Sequence, residues 1–106
     1  MLGTCTARGE IDMATAPALQ IELFDCIERA DEPLVNVDCA GVTFMDSAGY
    51  HALVRATEYA AQRGHTLVIR NLPPACGRVI RMCNLDRELN VEPAALRAAG
   101  VGALIR

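Results

Sequence analysis

Ser47 and His51 lie four residues apart, so a helix through them would set both side chains on one face, and Asp46 and Asp12 supply carboxylates that could complete a nucleophile–base–acid set. Hydrolysis by such a set also needs the base turned onto the nucleophile and donors for an oxyanion. The nucleophile-elbow pattern Gly-x-Ser-x-Gly is absent: the residues are Met45-Asp46-Ser47-Ala48-Gly49. A histidine in the first turn of a helix is more often a solvated surface residue. Metal chemistry is no better served, because His51, His65 and the cysteines show no productive ligand spacing, and no phosphate-cradling loop is present. Asp12 and Asp46 could hold Mg²⁺ beside a phosphoserine, but capping a helix (Asp46) and turning a loop (Asp12) account for both. The expectation is a chain without catalysis, bound metal or cofactor.

The element that must position these residues runs from Val42 to Gly64. Asp46 and Ser47 stand where a helix begins, and side-chain oxygens there accept from the free backbone N–H groups. Gly64 closes the helix with the residue most tolerant of a left-handed C-cap. Between them Leu53, Ala56, Thr57 and Ala60 recur at helical spacing, while Arg55, Glu58, Gln62 and Arg63 point elsewhere. A serine at a helix start is exposed and oriented, a candidate for chemistry done to it rather than by it.

Around this stretch, strand-like and helix-like runs alternate. Met1 to Ile11 alternates weakly, with Cys5 and Ala7 on one face, and reads as a strand. Thr15 or Ala14 leads into a helix with Pro17 in its first turn, and Leu19, Leu23, Cys26, Ile27 and Ala30 form its buried stripe. Ile21 and Phe24 fall off that stripe; packing against a loop and contact with a partner or a second copy both remain open. Asp31-Glu32-Pro33 breaks the helix. Leu34 to Asp38 is a strand, and Cys39-Ala40-Gly41-Val42 reads as a turn. Thr66 to Arg70 is a further strand, bounded by Asn71-Leu72-Pro73-Pro74. The double proline opens a helix with Cys76, Val79, Ile80 and Cys83 inward and Arg78 and Arg81 in water, and Asn84 is placed as its C-cap. Leu89-Asn90-Val91 is a short strand candidate, Glu92 to Ala99 a last helix, and Gly100 to Arg106 has no assignment. The order implies one α/β domain over residues 1–106, a small mixed and largely parallel β-sheet with about four helices packed on it.

Composition sets outer bounds. A chain of 106 residues is long enough for a modest core, and with 52% hydrophobic but only 4% aromatic residues that core is aliphatic. Net charge is −3, which argues against nucleic acid as a partner, and all ten basic residues are arginine. No secretory h-region and no apolar run of membrane-spanning length occurs, so a cytoplasmic location without membrane insertion is expected. The five cysteines, Cys5, Cys26, Cys39, Cys76 and Cys83, include no CxxC pair and lie in apolar runs. Buried, reduced thiols are the expectation, with a redox-sensing pair as the sharper alternative.

Phe44-Met45-Asp46-Ser47-Ala48-Gly49, preceded by the apolar strand Leu34–Asp38, resembles the signature of the STAS domain, the fold of anti-sigma-factor antagonists. Gly9-Glu10-Ile11-Asp12 is similar to that family's exit from its first strand, Arg63 through Ile69 to its helix-to-strand passage, and Pro74-Ala75 through Asn84-Leu85-Asp86 to its third helix and cap. The resemblance implies that Ser47 is a phosphorylation site and that Asp12, Asp46, Ser47, Ala48, Gly49, Tyr50 and His51 form a partner-binding surface. It implies an anti-sigma factor that doubles as a serine kinase as the partner, that partner carrying the ATP and Mg²⁺, with a phosphatase and a homodimer as further candidates. The sequence departs from the family next to the serine. Tyr50 and His51 replace the frequent Leu-Gly after Gly49, which bears on partner choice and on whether the switch is retained, and Ala48 replaces a frequent second serine. The alternative implied is a STAS adaptor subunit of another assembly, a lipid-transporter accessory subunit or a stressosome component, in which Ser47 is never modified.

Overall fold

The computed structural model describes residues 3–92. Four strands, β1 (Gly3–Ile11), β2 (Leu34–Met45), β3 (Thr66–Arg70) and β4 (Asn90–Val91), alternate with helices α1 (Ala16–Arg29), α2 (Ser47–Gln62) and α3 (Pro74–Met82), and a short 3₁₀ turn at Leu85–Arg87 follows α3. The expected helix from Glu92 to Ala99 and the tail to Arg106 lie outside the described residues, as do Met1 and Leu2.

The strands stand in the order β1-β2-β3-β4, and all three pairings are parallel. Each connection steps to the next strand in the same direction. Right-handed crossovers taken repeatedly in one direction place their helices on one face of the sheet. The side chains agree. Cys5 and Ala7 of β1, Val35, Val37 and Cys39 of β2, and Leu67 and Ile69 of β3 are buried, whereas Thr4, Thr6 and Thr66 are exposed and Asn36, Asp38 and Arg70 half-buried. On the helix side, Leu19, Leu23 and Ile27 of α1 and Leu53, Ala56 and Ala60 of α2 close the core. The core is aliphatic, as the composition requires; Tyr50 is the aromatic residue among its buried members.

β2 is longer than expected. The segment Cys39–Val42, expected as a turn, continues the strand to Met45. The reason lies in the pairing with β1: Thr6 faces Asp38 but Arg8 faces Gly41, and Gly9 faces Val42 but Glu10 faces Phe44. Twice, β2 advances one residue more than its partner. Each extra residue is a bulge that resets which side chains point inward, so the alternation of Val35, Val37 and Cys39 gives way to Val42 and Met45. Gly41 serves this crowded pairing, since a Cβ there would lie 3.1 Å from Arg8 Cβ.

The thiols differ from expectation as well. Cys5 on β1 and Cys26 on α1 form a disulfide, with Cα atoms 6.3 Å apart, inside the usual bridging range. Both lie on the faces where α1 packs on β1, which is why two cysteines distant in sequence meet. Cys39 and Cys76 are free and buried, as expected, but Cys83 is exposed. On α3 the inward residues are Cys76, Gly77 and Ile80, and Val79 stands 37% exposed.

Candidate functional site: the start of α2

The C-terminal ends of β1 and β2 lie side by side, Ile11 opposite Met45, and both chains turn there into helices. This brings Asp12 and Asp46 to one end of the sheet. Asp46 is the N-cap of α2: its backbone is extended (φ −104°, ψ −171°), and its carboxylate accepts from Ala48 N–H at 2.9 Å. Its carbonyl accepts from Gly49 and Tyr50, and its own N–H donates to Ile11 C=O at 3.0 Å. The helix start is therefore held by β1 as well as by its cap. Asp12 turns the other corner. Its Oδ1 accepts from Ala14 and Thr15 N–H, at 2.9 and 3.1 Å, while Thr15 Oγ1 accepts from Asp12 N–H and donates to Glu10 C=O. Both carboxylates are thus engaged in folding the backbone.

Ser47, first residue of α2, is exposed, Ala48 is half-buried and His51 is exposed. Gly49 and Tyr50, expected on the same surface, point inward. A Cβ at Gly49 would lie 2.4 Å from Met45 Cγ and 2.8 Å from Ile11 Cγ2, so glycine here permits α2 to press on the strand ends. Tyr50 is 4% exposed. Burial raises its pKa well above the ordinary tyrosine value, and a hydrogen bond with Cys76 adds to the shift. The residues left at the surface around Ser47 are accordingly Ala48 and His51, with Asp12 and Asp46 beside them.

Two open grooves flank this ridge. One, of about 450 Å³, runs between α1 and α2 and is lined by Met13, Pro17, Ile21, His51, Ala52 and Arg55 among others. The other, about 280 Å³, lies between the start of α2 and the end of α3, with Ser47, His51, Val79, Cys83 and Leu85 in its walls. His51 belongs to both. Met13 and Ile21 are 80% and 70% exposed. Sequence reasoning flagged Ile21 as off its helical stripe and did not single out Met13, although an exposed methionine in the turn before a helix is a signal of the same kind. Phe24, also off-stripe, is used internally: its ring stacks on Tyr59 of α2 at 4.2 Å, Arg63 caps that ring at 4.7 Å, and Glu28 receives Arg63 at 2.8 Å and the Tyr59 hydroxyl. This clasp fixes the C-terminal half of α1 against α2.

At the far end of α2 the expected cap is present. Gly64 has φ +82°, its N–H donates to Ala61 C=O, and His65 N–H donates to Ala60 C=O, the paired bonds of a Schellman motif.

A four-stranded parallel sheet whose helices share one face, with a capped helix start presenting a serine between two shallow grooves, defines a small α/β domain of one architecture. Residues 3–104 match the family model described as Mlab, STAS domain, and the chain belongs to the STAS domain family. Among solved structures, it is similar to an anti-sigma factor antagonist from Mycobacterium paratuberculosis at 28% identity and a TM-score of 0.72, over 90% of this chain and 82% of that one. Two others share the fold at 16% identity. A candidate anti-sigma factor antagonist from Thermotoga maritima has a TM-score of 0.70 over 84% of this chain and 78% of its own. The STAS domain of a SulP transporter from Vibrio cholerae has a TM-score of 0.60 over 97% and 84%. Among the described residues, no helix is long and apolar enough to cross a membrane.

Proposed function

We propose that this chain is a cytoplasmic, non-catalytic anti-sigma factor antagonist of a single domain. It docks on a kinase-type anti-sigma factor through the start of α2 and is released when Ser47 is phosphorylated. The observation that carries this is the setting of Ser47: an exposed hydroxyl at the first position of a helix whose N-cap and strand anchor hold it still. The 28% identical relative named as an anti-sigma factor antagonist supports the class of partner. A phosphate on Ser47 would add about −1.5 to −2 charges at neutral pH. The helix N-terminus favours that charge, so the fold survives it, while the docking face beside Asp12 and Asp46 becomes strongly acidic.

The test is partner affinity and phosphate incorporation for the wild type, Ser47→Ala, Ser47→Asp and Ser47→Glu, with circular dichroism as the folding control. Alanine should bind and not be modified, and the acidic variants should fold but bind weakly, because a second unpaired charge must be desolvated on docking. Equal affinity across all four would remove Ser47 as the switch. The alternative is a constitutive adaptor subunit, such as a lipid-transporter accessory subunit or a stressosome component. It keeps its place because the fold by itself serves either role, as the transporter domain of similar fold illustrates.

A further inference from the structure

We propose that Cys5 and Cys26 form a reversible thiol–disulfide couple that sets how firmly α1 is clamped to the edge strand β1, and through α1 the shape of the groove beside Ser47. The bridge joins the first part of β1 to the last turn of α1, 21 residues apart, and the segment it closes contains the Asp12 turn and the α1 wall of that groove. Beyond its core packing and the Arg55–Gln20 hydrogen bond to α2, three attachments hold α1 among the described residues. Its entry is fixed by the Asp12 and Thr15 hydrogen bonds, its C-terminal half by the Phe24–Tyr59 and Glu28–Arg63 clasp to α2, and the same half by the disulfide to β1. Reduction removes the third alone. The clasp, Leu19, Leu23 and Ile27 remain, so α1 stays folded but is free to shift against β1, which has a neighbouring strand on one side within the described sheet.

The chemistry is accessible. Cys5 is buried at 8% exposure while Cys26 is half-buried, so the bridge lies nearer the surface at its α1 end, and the more exposed disulfides are the labile ones. In a cytoplasmic chain a disulfide is usually transient and redox-sensing rather than structural. Oxidation balances with a small-molecule disulfide as oxidant: Cys5 and Cys26 give up two protons and two electrons to form one S–S bond, and the oxidant is cleaved to two molecules of its thiol. The reverse reaction restores both protein thiols. The consequence for docking and the cytoplasmic setting rest on the function proposed above; the bridge itself does not.

The test needs no partner. The full chain is equilibrated in glutathione buffers of stepped ratio and acid-quenched. Linked Cys5–Cys26 peptide is then read by mass spectrometry, with amide hydrogen exchange and circular dichroism on the same samples. The linked fraction should rise and fall reversibly. The reduced chain should keep its circular dichroism, and α1 amides should exchange roughly tenfold or more faster on reduction while those of α2 from Leu53 to Ala60 do not change. A Cys5→Ala Cys26→Ala variant should show the reduced pattern in every buffer. No linked peptide, equal α1 exchange in both states, an oxidised pattern in the double variant, or loss of the whole fold on reduction would each overturn the proposal, the last by making the bond a structural staple. A failure of Ser47 variants to change partner affinity would leave these outcomes untouched.

Discussion

Replacing Gly49 by alanine tests how α2 is seated. In an ordinary helix interior the change stabilises by about 1 kcal/mol, because alanine loses less backbone entropy. Here the new methyl would lie 2.4 Å from Met45 Cγ and 2.8 Å from Ile11 Cγ2, with Ile11 Cβ at 3.2 Å, where carbon atoms prefer roughly 3.5–4.0 Å. Met45 and Ile11 are partners in the β1–β2 ladder; Met45 can turn its Cγ aside, but Ile11 is branched at a Cβ fixed to its strand and cannot clear the new methyl without moving the strand end. The alternative is for α2 to lift, which stretches the bond from Asp46 N–H to Ile11 C=O. Overpacking of this kind costs about 1–3 kcal/mol. Set against the propensity gain, the top of that range applies, leaving a net loss of about 1–2 kcal/mol. For a domain of this size that lowers the melting temperature by roughly 5–15 °C. Thermal unfolding followed by circular dichroism measures it. A Gly49→Ala chain melting at or above the wild-type temperature would refute the seating argued here. So would strict additivity with Met45→Ala, because a shared contact requires the double variant to lose less than the sum, by at least ~0.5 kcal/mol.

Asp46→Ala should lower stability by about 1 kcal/mol through loss of the bond to Ala48 N–H, and Asp46→Asn should recover most of it, since asparagine caps equally well; equal losses in chemical denaturation would discount the cap. Stability should also fall in alkali. Burial, with the Cys76 and Asp38 charges adding to it, pushes the Cys39 thiol from 9.0 up to about 12, and burial raises Tyr50 likewise. A folded pKa raised above the unfolded one means stability fully present below the unfolded value and lost as pH rises through the folded one. Urea midpoints should therefore be flat up to about pH 9 and decline from there toward pH 12, a decline that Cys39→Ala Tyr50→Phe should flatten and whose persistence in that variant would count against both groups.

The parts of the molecule that were legible in the sequence are those governed by neighbours in the chain. The span of α2 follows from an aspartate able to cap it and a glycine able to take a positive φ, both local properties. The buried stripe of α1 follows from Leu19, Leu23 and Ile27 at helical spacing. The parallel sheet follows from alternation of element types. What was not legible depends on register between distant segments. Two bulges in β2 disrupt its alternation at Cys39–Val42 because of what β1 does opposite it, and nothing within β2 announces that. Cys5 and Cys26 each read as inward residues of their own element. That they meet depends on how α1 lies along β1.

Tyr50 and Gly49 are instructive because the signal was present. The stripe of α2 extends backward from Ala60 through Ala56 and Leu53, and three or four residues before Leu53 stand Tyr50 and Gly49. Period alone therefore assigns them to the core, and leaves Ser47, Ala48 and His51 on the outward side. This division bears directly on the proposed switch. The residues that fix α2 against the sheet are beneath the surface, and the serine that the proposed modification would alter is above it. A phosphate on Ser47 would sit in the positive field of a helix start whose position is already determined by Asp46, Ile11 and Gly49. With its support independent of the serine hydroxyl, such a face can change charge without changing shape. On the proposed reading, recognition would turn on electrostatics and desolvation at the ridge between the two grooves, rather than on refolding of the domain.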